Sequence, residues 1–237
     1  MKEYNNISVD GKTMAEIDKY AIEVLEIPSI LLVERASLAV MKNINLALRK
    51  SFAIVMSIGN NGADAMALAR NLLALGKDVD CYILGDIKKA GKEFLINYRA
   101  VENLKANIYF VETIEDLEKM DKNLDRVNTI IDGIFGTGLS RTVKGIYSYV
   151  INLINRKRIY TISIDLPSGL DPSGEMDFGE YIDSDLIVSM ELMKKALDEN
   201  SYLREKTVVE EIGIPKLAIE KVLGINWKIK KIMVYYK

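Results

Sequence analysis

The sequence of 237 residues contains no histidine, a single cysteine and no long apolar segment. Without histidine there is no Ser-His-Asp or Cys-His catalytic group, no imidazole general base and no histidine metal ligand. Because Cys81 stands alone, no disulfide can form within the chain, and a zinc site is not expected. Proton transfer must rely on carboxylates, lysines, tyrosines or water, and a hard cation could still be bound by oxygen atoms.

Charge narrows the class of protein further. The chain carries 32 basic and 34 acidic residues, so no concentrated basic surface is indicated, and we expect neither a nucleic-acid partner nor a membrane. The amino terminus lacks the apolar stretch of a signal peptide. Together with the lone Cys81, expected to be a small core residue, these features predict a cytoplasmic protein.

Periodicity predicts a three-layer α/β/α, Rossmann-like fold with a mostly parallel central sheet and an amino-terminal helical extension. Residues 13–48 have the apolar spacing of two helices, interrupted at Pro28. Beyond them strands and helices alternate. The expected strands are 52–57, 79–84, 108–111, 127–131, 159–164, 185–189 and 206–209, and the expected helices between them are 63–75, 89–104, 113–120 and 145–155.

We expect one domain over residues 1–237, with a helical lead-in (1–50), an α/β core (51–215) and a carboxyl-terminal tail (216–237). No repeat, low-complexity tract or linker divides the chain. Residues 225–237 alternate in the manner of a strand, and they could form an edge strand or a docking tail.

Three polar loops follow predicted strands. Asp132 and Asp165 each end a β-branched apolar run and open into glycine, serine and threonine. The third loop, residues 57–64, contains two adjacent asparagines and Asp64, which could also act as a helix cap. Because open α/β sheets bind ligands at the carboxyl ends of their strands, the loops predict a polar small-molecule site.

The chemistry of these loops has competing explanations. Residues 136–142 present close backbone and Arg141, which suits a phosphate, but a tight connection explains the glycines equally well. This loop is neither a Walker P-loop nor a Rossmann fingerprint, so kinase and hydride-transfer functions lose their main support. Further along, Lys194 and Lys195 could bring an ammonium group to the crevice or lie solvated on the surface.

Taken in order, these segments resemble the NAD(P)H-hydrate epimerases, the YjeF amino-terminal-domain family. The resemblance covers residues 14–215 and rests mainly on Phe-Gly-Thr-Gly-Leu-Ser-Arg at 135–141 and Asp-Leu-Pro-Ser-Gly-Leu-Asp at 165–171. It implies epimerisation at carbon six of hydrated NADH or NADPH (NADHX or NADPHX) in nicotinamide nucleotide repair, with a potassium ion as cofactor. Because the sequence shows no dehydratase segment, we expect a separate NAD(P)H-hydrate dehydratase as functional partner.

Carried over by position, the family's functional residues form three sets. Asp165 is the natural proton-transfer group, with Lys194 beside it. The cation ligands are Asn61, Asp132 and Ser168. The residues expected to contact the substrate are Asn60, Asn61, Gly62, Ala63, Asp64, Gly136, Thr137, Gly138, Leu139, Ser140, Arg141, Thr142 and Asp165.

The resemblance also implies a homodimer, the commonest soluble assembly. A surplus of apolar residues on the lead-in helices points the same way: Ile17, Ile22, Leu25, Leu31, Leu32 and Val33.

The chain departs from the family pattern at Arg35, Ser37, Ala63, Ala65 and Ala196, where an asparagine and four glycines are usual. A methyl group would weaken binding if glycine served close ligand approach or a positive φ at positions 63 or 65. The alternative function is therefore a catalytically silent nucleotide-binding or dimerisation module on the same fold.

Overall fold

The computed structural model describes residues 7–225, and a sheet of seven parallel strands runs through their centre. The spatial order of the strands is β4-β3-β2-β5-β6-β7-β9. They are β2 (Ser51–Ser57), β3 (Asp78–Leu84), β4 (Asn107–Phe110), β5 (Thr129–Gly133), β6 (Thr161–Ile164), β7 (Leu186–Met190) and β9 (Thr207–Glu210). A second, two-stranded parallel sheet pairs β1 (Ser8–Val9) with β8 (Met193–Lys194).

Helices cover both faces of the large sheet. The lead-in consists of α1 (Gly11–Lys19) and α2 (Ser29–Lys42), with the π-helical turn Tyr20–Val24 extending α1. The remaining helices are α3 (Asn60–Ala74), α4 (Lys92–Asn103), α5 (Ile114–Leu124), α6 (Ile146–Lys157), α7 (Lys195–Asp198), α8 (Ser201–Glu205) and α9 (Lys216–Leu223).

Alternate residues of the central strand β2 point into two different cores. Phe52, Ile54 and Met56 belong to a large core that includes residues of α1, α2, α3, α4 and α9. Ala53 and Val55 face a smaller core built with α5 and α6. This alternation is the period-two geometry of a strand buried on both faces. The predicted three-layer α/β/α fold is confirmed.

The order of the strands places a crevice beside β2. The chain leaves β2 for β3 and β4 on one side, then returns to lay β5, β6, β7 and β9 on the other. The strand order reverses between β2 and β5, so the loops that follow these two strands run to opposite sides and leave a crevice between them. Open α/β sheets bind ligands at such a point. The loops after β2, β5 and β6 are the three polar loops predicted from the sequence.

Two boundaries near the site differ from prediction. Helix α3 begins at Asn60 rather than at residue 63, because Gly59 has an extended backbone and the asparagines form the first helical turn. Strand β5 reaches Gly133, so Asp132 lies within the strand, in register with Val55 and Ser163, rather than in a loop after it.

Other differences concern short elements. The strands β1 and β8 and the helices α7 and α8 are too brief to show any periodicity, and they were not predicted. Helix α9 occupies part of the expected tail. The predicted edge strand or docking tail lies largely in residues 226–237, outside the described residues.

Helix α3 approaches β5 closely enough that only glycine fits at position 133. A Cβ atom on Gly133 would lie 2.4 Å from the Cβ of Ala65, which is itself fully buried. The alanine at position 65 therefore uses space that Gly133 leaves open.

We expect Gly133→Ala to lower the free energy of unfolding by about 1–3 kcal/mol, because the added methyl group overpacks this contact. Adding Ala65→Gly should restore part of that loss. Urea unfolding of both variants tests this, with Gly138→Ala as the control since nothing lies within 4 Å of its Cβ position. Equal midpoints for the single and double variants would contradict the contact.

Candidate functional site

A buried ion pair lies at the carboxyl end of the sheet. The ammonium group of Lys194 pairs with the carboxylate of Asp165, and its side chain is fully buried. Lys194 Nζ also donates a hydrogen bond of 2.6 Å to the carbonyl oxygen of Met190. Of the two interpretations of its sequence position, the structure therefore supports an inward-pointing ammonium group and not a solvated one.

The backbone at Asp165 is strained. Its φ is +68°, and the amide of Leu166 bonds to the carbonyl oxygen of Ile164 across it, which forms a tight three-residue turn. Glu191, after the neighbouring strand β7, makes the same turn with a φ of +61°. Non-glycine residues rarely adopt such φ values, and strain of this kind concentrates at functional sites.

Hydrogen bonds hold both strained residues in place. Asp165 accepts a bond of 3.2 Å from the amide of Met190, which joins the ends of β6 and β7. Glu191 accepts bonds of 2.9 and 3.3 Å from the amides of Ile212 and Ile214. The amide of Met190 thus fixes the Asp165 carboxylate, and the amides of Ile212 and Ile214 fix that of Glu191.

Asp132 forms a second buried network. Its carboxylate accepts hydrogen bonds from the amide of Ser168 (2.9 Å), the hydroxyl of Ser163 (2.7 Å), the amide of Ile134 (3.2 Å) and the hydroxyl of Ser168. Burial raises the pKa of Asp132, although the bonds from Ser168 and Ser163 oppose that shift. The network ties the loop after β6 to β5.

Asn61 and Asp165 converge on Gly136. A Cβ atom at position 136 would lie 3.2 Å from Oδ2 of Asp165 and 3.3 Å from Cγ of Asn61. Asn61 is 8% exposed, and its Nδ2 atom has no hydrogen-bond partner among the described residues. A buried amide donor without a partner is costly, so this position is suited to a polar ligand atom.

The loop 136–142 borders a cleft of about 610 Å³. Arg141 and Thr142 are exposed there, and Leu139 is half-buried. The same cleft contains residues that sequence analysis did not single out: Phe135, Val143, Lys144 and Tyr147. The rings of Phe135 and Tyr147 are tilted by 38° with their centroids 5.1 Å apart, so the cleft offers an aromatic wall together with the cations of Arg141 and Lys144.

The remaining predicted contacts fall in three groups by exposure. Asn60, Gly138 and Ser140 are exposed, and Thr137 and Asp64 are half-buried near the crevice. Gly62 and Ala63 are buried in the first turn of α3, where they support Asn61. The loop containing Asn60 to Asp64 is thus a helical turn, and only some of its side chains are accessible.

Sequence reasoning missed a contribution from the lead-in. A Cβ atom on Gly11, at the start of α1, would lie 2.4 Å from the carbonyl oxygen of Thr137, so α1 begins against the glycine loop. Asp18 follows two turns later and interacts electrostatically with Lys194, Asp165 and Glu191. A sequence signal existed, because Asp18 falls four residues after Met14 and three before Ala21, on the buried stripe.

Two carboxyl groups that interact electrostatically with Asp165 have strongly raised pKa values. Burial raises the pKa of Asp18 to about 7; Lys194 opposes this shift, while Asp165 and Glu191 add to it. Burial also raises the pKa of Asp64 well above its usual value, with Asp165 and Asp18 contributing. Shifted carboxyl groups in a crevice are typical of acid–base sites.

Fold and geometry together define a doubly wound α/β protein in which buried polar side chains gather at the carboxyl ends of the central strands. A sequence profile described as "YjeF-related protein N-terminus" matches residues 29–196. The chain belongs to this family, as its motifs indicated.

Proteins of known name agree with this assignment. The chain is 56% identical to an NAD(P)H-hydrate epimerase of Anaerococcus prevotii, over 91% of this chain and 99% of that protein. It is 30% identical to a bifunctional NAD(P)H-hydrate repair enzyme of Moorella thermoacetica, over 88% of this chain but 41% of that one. The crystal structure of the yeast protein ynu0 has the same fold, with a TM-score of 0.77 at 17% identity and coverage of 94% and 97%.

We expect Asp18→Asn to stabilise the protein in a pH-dependent manner. Between its ordinary pKa of 3.8 and about 7, folded Asp18 holds a proton that the unfolded chain has lost, so stability falls as pH rises through this window. Asparagine does not ionise, so this loss of stability does not occur in the variant. Its free energy of unfolding should exceed that of the natural protein by about 1–2 kcal/mol at pH 8 and should be almost the same at pH 4. Urea unfolding at both pH values measures the difference. Glu16→Gln, on the exposed face of α1, is the control; an equal gain at both pH values would contradict the assignment.

Proposed function

We propose that the protein is an isomerase that epimerises the R and S forms of hydrated NADH and NADPH in nicotinamide nucleotide repair. The observation that carries this proposal is the ion-paired Asp165 close to Asn61, whose amide nitrogen has no hydrogen-bond partner within residues 7–225, in a chain 56% identical to an NAD(P)H-hydrate epimerase. A dehydratase activity is the expected functional partner, because some relatives of this chain are bifunctional NAD(P)H-hydrate repair enzymes.

The site suits the chemistry of this reaction. The epimerised carbon carries a hydroxyl group and a ring nitrogen, so loss and return of water, or opening and closing of the ring, would scramble its configuration. Either route moves a proton on and off oxygen or nitrogen through a positioned acid or base. We assign that task to Asp165, which directly follows β6, together with its ion-pair partner Lys194.

The opposite end of the substrate requires an anion site. Arg141 and Lys144 line the cleft beside the glycine loop, close to the amino terminus of α6. Cationic side chains and a helix amino terminus both favour phosphate. We assign the pyrophosphate to residues 136–142 and the nicotinamide ribose side to Asn60–Asp64.

A potassium ion bound by Asn61, Asp132 and Ser168 forms part of the proposal. The lone pairs of Asp132 are all used, but the Ser168 hydroxyl can donate instead to the carbonyl oxygen of Phe135, 3.2 Å away. That rotation would free one lone pair on Asp132 without moving a heavy atom. Carboxylate, hydroxyl and amide oxygens then fit a hard cation, whose role when bound is to orient the hydrated nicotinamide.

A homodimer remains a prediction. Of the apolar residues that suggested it, Ile17 and Leu32 are buried in the protein's own core, whereas Leu31 is 54% exposed. Exposed Val24 and Leu38 lie on the same lead-in segment, so the helices retain an apolar outer surface.

Among residues 7–225, no helix has the length and apolarity needed to cross a membrane.

The epimerase function is tested by mixing the protein with the R hydrate of NADH and a dehydratase that consumes only the S form. Consumption should exceed the uncatalysed rate, and Asp165→Asn should lower kcat by about 10²–10⁴-fold, the usual contribution of a positioned acid or base. Asp78→Asn, exposed at the opposite end of the sheet, should be unchanged.

Stability must be followed in the same experiment, because Asp165→Asn leaves a buried ammonium group without its partner. The double variant Asp165→Asn, Lys194→Gln removes both charges, so it should recover stability and stay inactive. Consumption by the natural protein at the uncatalysed rate would leave the silent nucleotide-binding module as the function.

Potassium should stabilise the protein relative to tetramethylammonium, by about 1 kcal/mol or a melting shift of about 2–4 °C at concentrations several times the dissociation constant. Asn61→Ala should abolish this difference, yet cost little stability in tetramethylammonium, because its amide nitrogen makes no hydrogen bond with any residue that the structure describes. Asn60→Ala, at the exposed neighbouring position, should keep it. Identical melting in both salts would remove the cation from the proposal.

A further inference from the structure

The end of β2 is tied to the neighbouring strand β5 by a side chain instead of a backbone ladder. Pairing between the two strands ends at Met56 and Gly133. One residue further on, the hydroxyl of Ser57 donates a hydrogen bond of 2.5 Å to the carbonyl oxygen of Ile134. Ser57 is 7% exposed, so the bond is buried at the point where the two strands separate.

The same peptide group continues the connection to the loop after β6. The carbonyl of Ile134 and the amide of Phe135 belong to one peptide plane, and that amide donates a hydrogen bond of 2.8 Å to the hydroxyl oxygen of Ser168. Ser168 in turn donates to Asp132 or to the carbonyl oxygen of Phe135. A chain of hydrogen bonds therefore runs from Ser57 through one peptide group to Ser168, and it joins the loops after β2, β5 and β6.

This chain of bonds has one direction, because each hydroxyl group has a single hydrogen. Ser57 donates its proton to the carbonyl of Ile134, and hydrogen bonds in series polarise one another. The hydroxyl oxygen of Ser168 has two lone pairs, of which the amide of Phe135 occupies one. No second donor among the described residues reaches that oxygen. One lone pair of Ser168 is therefore left for a ligand, and the bond from Phe135 sets its direction.

The first turn of α3 packs against the same serine. A Cβ atom on Gly62 would lie 1.7 Å from the carbonyl oxygen of Ser57, so only glycine allows this approach. A Cβ atom on Gly133 would lie 3.3 Å from the carbonyl oxygen of Asn61, so the turn also contacts the end of β5. The backbone that carries Asn61 is thus held between the two strands that Ser57 joins.

We propose that Ser57 is a positioning residue of this site: its hydroxyl fixes the loops after β2 and β5 relative to each other and orients the hydroxyl oxygen of Ser168. The inference rests on the function and the cation site proposed above. It adds a residue that acts through Ser168 and Asn61, two of the cation ligands in that proposal. Outer partners of a ligand orient it and strengthen binding although they do not touch the ion.

Positioning of this kind predicts a loss of affinity that a higher ligand concentration overcomes. Without the Ser57 hydroxyl, the residues that hold the ion are all present, but their arrangement is not fixed before binding. Ordering that arrangement then uses part of the binding free energy. Asp165 and Lys194 pair with each other outside this chain of bonds, so the proton-transfer groups should be unaffected.

The test is the dissociation constant of potassium, obtained from the melting temperature at increasing potassium concentration, with tetramethylammonium keeping the ionic strength constant. Ser57→Ala should raise this constant about two- to tenfold, the effect of one lost hydrogen bond. Ser57→Thr keeps the hydroxyl and should bind potassium as the natural protein does. In the coupled epimerase assay, kcat of Ser57→Ala should return to within about twofold of the natural value once potassium is saturating.

Ser37→Ala is the matched control. Ser37 is fully buried, and its hydroxyl donates a bond of 2.7 Å to the carbonyl oxygen of Glu34 and accepts one of 2.9 Å from the amide of Asn71. Asn71 lies near the opposite end of α3 from Asn61, about 15 Å away at about 1.5 Å per residue. The variant loses a comparable bond far from the site, so it should melt at a lower temperature but keep the natural affinity for potassium.

The outcomes separate this inference from the function on which it rests. If the natural protein melts identically with both cations, the cation site proposed above fails, and the inference fails with it. If the natural protein responds to potassium but Ser57→Ala has the same dissociation constant, Ser57 does not position the site. An equal rise in Ser37→Ala or in Ser57→Thr overturns the inference as well, because lost stability or altered packing would then explain it. A loss of kcat in Ser57→Ala that saturating potassium does not restore also contradicts it.

Discussion

The site depends on one buried ion pair, because Lys194 has no exposed surface and its ammonium group must be neutralised within the protein. Asp165 provides the counter-charge, and holding it there requires the positive φ of its turn and the amide of Met190. The elements around the pair also serve to keep Lys194 close to Asp165. The pairing of β1 with β8 and the twin turn at Glu191 both fix the segment that carries Lys194. Local strain is thus maintained by a network that extends over two strands and the lead-in.

Much of the fold could be predicted from the sequence, because strands buried on both faces show as apolar runs and the helices between them have their own period. The Asp165 turn could be located because glycine, proline and serine mark it. The pairing of Lys194 with Asp165 could not be derived from spacing, since it joins residues on different strands. Asp18 was overlooked for a different reason: a charged residue in an amphipathic helix is usually solvated, and only the packing of α1 against the glycine loop turns it inward.

The alanines at positions 63 and 65 have a simple structural explanation. Both lie within α3, and neither has a positive φ, so the backbone there makes no demand that only glycine meets. Ala65 is accommodated by Gly133 opposite it, and Ala63 is 4% exposed, directed into the protein. Their methyl groups consequently fill the core beneath Asn61. The alanines at positions 63 and 65 therefore give no reason to favour a catalytically silent module, because neither position has a positive φ and both methyl groups are buried.

The absence of histidine explains why burial matters so much in this site. An imidazole group has a pKa near neutrality without any help from its surroundings, whereas a carboxyl group in water is fully ionised there. A protein that uses carboxyl groups for proton transfer near neutral pH must desolvate them or place them beside like charges. Both effects raise the pKa of Asp18 to about 7, within the range that histidine would occupy. The surroundings of Asp165 differ, because its carboxylate pairs directly with the buried ammonium group of Lys194. Two aspartates of this protein therefore have different electrostatic surroundings: burial and like charges dominate at Asp18, and a directly paired cation lies at Asp165.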